Sequence, residues 1–110
     1  MKKDKQIAKL KIEKQCYSIR ATAHAIIRMR QRNIDEYVVS GTVISLGEKR
    51  LLAYQNNGRD VAIIDKIKRV AVIATFKKNT IKIITVIDKE DIYVKDGTTI
   101  ENISFREVLK

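Results

Sequence analysis

The sequence contains one cysteine, one histidine, four glycines and no proline, and each shortage removes a class of explanation. A single thiol, Cys16, permits no intramolecular disulfide and no zinc site built from several thiolates. With His24 as the only imidazole, a transition-metal centre lacks ligands, so no metal and no other cofactor are expected. No stretch approaches the ~18 apolar residues that a membrane span needs. The N-terminal run MKKDKQIAKLKIEK lacks the apolar segment of a secretory signal. The expected place of action is a reducing, cytoplasm-like compartment, which a toxin domain delivered into another cell would share. GxSxG, GxxxxGK[ST] and GxGxxG are all missing, so a serine nucleophile on an elbow and a nucleotide-cradling loop have no support. Paired carboxylates for glycoside chemistry have no obvious home in so basic a chain.

What is abundant is positive charge. Twenty-three Lys and Arg stand against thirteen Asp and Glu, a formal net charge of +10. A surface of this sign attracts a polyanion, either nucleic acid or an anionic membrane. At 110 residues the chain reads as one domain, and its 45% apolar content is that of a globular protein. Residues 1–8 read as a flexible basic tail, the alternative being an arm that contacts phosphates. Lys9 to Ile19 alternates loosely, which suits a short strand or an amphipathic lead-in.

The centre of the reading is the run ATAHAIIRMRQRNI, residues 21–34. Thr22 is placed to cap a helix and Asn33 to end it in the left-handed conformation. At about 100° per residue, Ala23, Ala25, Ile26, Ile27 and Met29 form a broad apolar arc. His24, Arg28 and Arg32, at i, i+4 and i+8, line one edge with Gln31 beside them, and no carboxylate joins them. Arg30 projects from the apolar side and is expected at the rim of the core. Asp35 would cap a second helix of about two turns, with Ile34 stapled to Val39 and Ser40-Gly41 limiting it. Beyond it the period changes to two. Arg50–Gln55 and Arg59–Asp65 flank Asn56-Asn57-Gly58, and Arg69–Phe76 and Thr80–Ile87 flank Lys77-Lys78-Asn79. These read as two hairpins. Ser104 to Glu107 fits a capping box before little remaining chain. The expected fold is α+β, with one or two N-terminal helices packed on a four- to five-stranded antiparallel sheet.

A histidine among cations, with a sheet carrying Lys77, Lys78, Lys82 and Thr85, suits metal-free cleavage of RNA. The 2′-hydroxyl must lose a proton, the phosphorane gains charge, and the 5′-oxygen must be protonated as it leaves. An imidazole can take part in either transfer near neutral pH, and Arg or Lys can stabilise the charged intermediate. The bland alternatives are a boundary histidine and a threonine present only as a β-former. Tyr17, Tyr37, Tyr54 and Tyr93 are scattered and suggest no base-stacking platform.

The run from His24 to Ile34 resembles the HAxxRMxxRxI signature of a small bacterial family grouped with the barnase/EndoU/colicin/RelE-type ribonuclease superfamily. Asp35-Glu36 matches that family's acidic second helix, and Ile84-Thr85-Val86-Ile87 matches its Thr-Val strand. The similarity spans Thr22 to Asp88, and the flanks match nothing. The resemblance implies a RelE/barnase-like fold and a ribonuclease toxin site of His24, Arg28 or Arg32, and Thr85. It further implies tRNA as substrate and an acidic immunity or antitoxin protein as partner. Arg32, Gln31, Lys78 and Lys82 are the expected substrate-binding residues. Two other readings remain, a non-enzymatic nucleic-acid-binding module and a domain that docks on an acidic protein.

Overall fold

The computed structural model describes residues 4–55, 60–89, 92, 94 and 97–103. Two strands come first, β1 (Lys5–Ile12) and β2 (Gln15–Ala21), followed by α1 (Ala23–Gln31), α2 (Glu36–Ile44) and α3 (Glu48–Gln55). The chain then forms β3 (Asp60–Asp65), β4 (Val70–Lys77), β5 (Thr80–Ile87) and β6 (Thr99–Ile103). All six strands join one sheet in the order β1-β2-β5-β4-β3-β6. Neighbours β1/β2, β3/β4 and β4/β5 are antiparallel, whereas β2/β5 and β3/β6 are parallel.

This corrects the expected architecture in three ways. The domain is α+β, but three helices following two strands replace the expected one or two N-terminal helices, and the sheet is six-stranded and mixed rather than four- to five-stranded and antiparallel. Residues Lys5 to Ala8, expected within a flexible tail, lie in β1. The reversal into β2 passes through Glu13 and Lys14 at φ of 49° and 72°, so the turn uses left-handed residues without the usual Asn or Gly. Arg50 to Gln55 is the last part of helix α3, not a strand. Leu51 is buried and Tyr54 packs on Phe76, a spacing that one helix face satisfies. The Asn56-Asn57-Gly58 turn and the Ser104–Glu107 capping box lie outside the described residues.

One face of the sheet is covered by the helices. Ile19, Ile63, Phe76, Ile81 and Ile83 are fully buried there, together with Val39 and Val43 of α2 and Leu51 of α3. β5 carries a bulge, because Thr85 pairs with Ile73 while Ile83 pairs with Ala74, leaving Ile84 extra. Val86 returns to the helix face opposite Val72, and Thr85 shares the far face with Ile73. β2 stays paired with β5 only as far as Ile83. There α1 begins, and its Thr22 cap donates its backbone N–H to Ile83 O (3.1 Å) and its hydroxyl to Ile84 O (3.2 Å). Arg32, at the helix's other end, reaches Asp88 just past β5. α1 therefore takes over the flank of β5 that β2 leaves uncovered.

Candidate functional site

The caps of α1 are those its sequence calls for. Thr22 Oγ1 accepts the backbone N–H of Ala25 at 3.0 Å, and Asn33 stands at φ 57°. Ala25 and Met29 enter the core, while Ile26 packs at its margin and Arg30 is exposed at the rim. The apolar arc is narrower than the helical wheel suggests, since Ile27 is 48% exposed. α2 is capped by Asp35, whose carboxylate accepts from Val38 N, and continues through Gly41 to Ile44.

His24 is the second residue of α1 and is exposed. Its imidazole takes part in no hydrogen bond or ion pair among the described residues. Arg28, half-buried on the same edge, donates to Gln31 Oε1 at 3.0 Å. Arg32 donates through Nε to Asp88 Oδ1 at 3.1 Å, and its buried Nη1 has no partner among the described residues. The edge His24–Arg28–Arg32 thus exists, but its last member is already paired with a carboxylate. Thr85 is half-buried and turned to the far face of β5. Among the described residues no hydrogen bond joins it to His24 or Arg28. Lys82 is held by Asp4 at 3.5 Å. Lys78 is exposed in the β4–β5 turn, at the start of β5, whereas α1 flanks that strand's second half.

Two depressions lie near α1, and neither is lined by His24. One of about 520 Å³ between α1 and α2 is walled by Ile26, Met29, Ile34 and Tyr37. The other, of about 390 Å³, sits at the sheet end between Arg32, Asp88 and the β3–β4 turn with Lys68 and Arg69. That turn is fixed by buried Asp65, whose Oδ1 accepts from the backbone N–H groups of Ile67 (2.9 Å) and Lys68 (3.1 Å). On β6, beside Ile63 of β3, Glu101 accepts from Arg50 and from the Tyr54 hydroxyl. Burial, and then the hydrogen bond to the Glu101 carboxylate, push the Tyr54 phenol up to about 12.

The far face of the sheet adds Lys9, Lys11 and Arg20 to the Lys77 and Lys82 that the linear pattern singles out. Lys9, Ser18, Thr80 and Lys77 pair successively across β1, β2, β5 and β4. Two residues further along β2 and β5, the same pairing aligns Gln6, Arg20, Lys82 and Thr75. The alternation of Lys9 and Lys11 is a usable signal, but only once β1 is recognised as a strand. Among the described residues, no group of His, Cys, Asp and Glu side chains is arranged to hold a metal ion, and no helix is long and apolar enough to cross a membrane. No family model matches the chain, and no curated protein or solved structure shows significant similarity to it.

Proposed function

We propose that the protein is a metal-independent endoribonuclease of the toxin type, with His24 transferring the proton and Arg28 holding the scissile phosphate. One observation carries this reading: an exposed histidine with no partner among the described residues shares a helix edge with Arg28, on a chain of net charge +10. A histidine serving the fold would be buried or hydrogen-bonded. This one faces solvent at the first turn of α1, where the helix dipole and free amide groups favour an anion. In-line attack by the 2′-hydroxyl would form the 2′-O–P bond as the P–O5′ bond breaks, with negative charge on the phosphorane beside Arg28; the imidazole would carry out one of the two proton transfers, from the attacking hydroxyl or to the leaving 5′-oxygen, and water the other. Thr85 acts from the neighbouring strand, as a hydrogen-bond donor to a phosphate oxygen. A tRNA is the proposed substrate, cytoplasm the proposed place of action, and an acidic immunity or antitoxin protein the proposed neutralising partner.

The test is incubation of the purified protein with total tRNA in excess EDTA. Discrete fragments ending in 2′,3′-cyclic phosphate support the proposal, and intact tRNA at micromolar enzyme rejects it. The second reading, a nucleic-acid-binding module, is favoured by the pairing of Arg32 with Asp88 and of Lys82 with Asp4. It is also favoured by the absence of a hydrogen bond between His24 and Thr85 among the described residues. Retention of tRNA without cleavage would select it.

A further inference from the structure

The far face of the sheet is divided. Over β3 and the start of β4, Ala62, Ile64 and Ala71 are buried. Over β1, β2, the first half of β5 and the end of β4, no residue is buried, and the side chains are Lys, Arg, Ser, Thr, Gln and one Cys. Five cations stand there, Lys9, Lys11, Arg20, Lys77 and Lys82. Protection of an exposed sheet edge accounts for lysines on β1. It does not account for Arg20, Lys82 and Lys77, which lie on β2, β5 and β4, strands paired on both sides.

The cations form transverse rows two residues apart, about 6.6–6.8 Å along the strand direction. That interval is comparable with the separation of phosphates in an extended single strand. The Thr80 hydroxyl, between Ser18 and Lys77 in the first row, and the Thr75 hydroxyl, beside Lys82 in the second, can donate to phosphate oxygens, whereas the Ser18 hydroxyl donates to Gln6 Oε1 at 3.1 Å. Among the described residues no aromatic ring lies on this part of the face, and none of the exposed large apolar residues (Ile27, Tyr37, Ile44, Ile67, Ile100) belongs to these four strands. The surface therefore offers neither base stacking nor insertion into a bilayer. Asp4 lies across the second row, with its carboxylate on Lys82 and its carbonyl accepting from Arg20 Nη2 at 3.1 Å. Asp60 ends that row at β3.

We propose that the open face of β1, β2, β5 and β4 binds the phosphodiester backbone of single-stranded RNA and directs it along β5 toward Thr85 and the start of α1. The direction of travel rests on the ribonuclease reading; the binding itself does not. Because only the backbone is bound, affinity is nearly independent of base sequence and falls steeply with salt.

The probe is a fluorescent 2′-O-methyl oligoribonucleotide, which binds but lacks the nucleophile for cleavage. Replacing Lys9, Lys77 and Lys82 together by Gln should weaken its binding about tenfold or more, and lower the salt slope by about 0.7 for each phosphate that is no longer neutralised. A control with Lys49, Lys66 and Lys89 changed to Gln removes the same charge from other surfaces and should weaken binding less than about threefold. Asp4→Asn frees the second row and should strengthen binding. Equal losses in the two triple variants, or weaker binding in Asp4→Asn, overturn the proposal. Binding to phosphatidylserine vesicles without binding to the oligonucleotide also overturns it, in favour of a membrane surface. A cleavage test that fails while the probe still binds removes the ribonuclease reading and leaves this surface standing.

Discussion

The two faces of the sheet are made by the same strands and behave as opposites. On the helix face, Ile19, Ile81, Ile83 and Phe76 are closed off from water. One residue along each strand, Arg20, Lys82 and Lys77 occupy the far face. The period-two alternation of a strand thus separates cohesion from charge with no spatial gap between them. Substitutions on the first face should change folding, and those on the second should change binding.

The largest test of that separation is Phe76→Ala, which removes a fully buried ring that also packs on Tyr54. It should cost ~3–5 kcal/mol in urea unfolding. Next, Thr22→Ala removes both the N-cap and the hydroxyl bonded to Ile84 O, and should cost about 1 kcal/mol. This substitution also sharpens the comparison functionally, because it loosens α1 from β5 and should slow any cleavage that depends on His24. Alkaline unfolding provides a third test. Tyr54 titrates near pH 10 when unfolded and near 12 when folded, so the folded state holds the proton more tightly. Its contribution is complete below about pH 10 and is lost as pH rises towards 12. Tyr54→Phe should flatten this part of the stability profile. Smallest of all, single Lys→Gln changes at Lys9 or Lys77 should leave unfolding within about 0.5 kcal/mol of the parent. A stability loss there comparable with Phe76→Ala would break the division between the faces.

Local signals carry much of this molecule. Thr22 and Asn33 bound α1, Asp35 caps α2, and the period-two runs at β3, β4 and β5 are strands. What local pattern misses is non-local or disguised. β1 and β2 meet through Glu13-Lys14, a turn without turn-forming residues, and the lysine content makes the strand look like a tail. Leu51, Leu52 and Tyr54 fit a hairpin strand beside the turn expected at Asn57-Gly58, although their spacing serves a helix equally. The parallel pairings of β2 with β5 and β3 with β6 join segments far apart in sequence, so no local pattern announces them. The candidate site shows the same limit. The edge of His24 and Arg28 is legible from i, i+4 spacing, but the acids that occupy Arg32 and Lys82, Asp88 and Asp4, come from distant segments. The bulge at Ile84 keeps Thr85 on the far face while Val86 returns to the core, and this also depends on tertiary pairing.

The central claim is that His24 performs chemistry rather than merely lying on a basic surface. The direct measurement is single-turnover cleavage of a tRNA by the parent and by His24→Ala, with binding of the uncleavable oligonucleotide measured in parallel. Loss of a proton-transfer group should lower the rate ~10²–10⁴-fold. Binding and unfolding should stay at parent values, since the side chain is exposed and unpaired among the described residues. Cleavage by His24→Ala at the parent's rate would contradict the account.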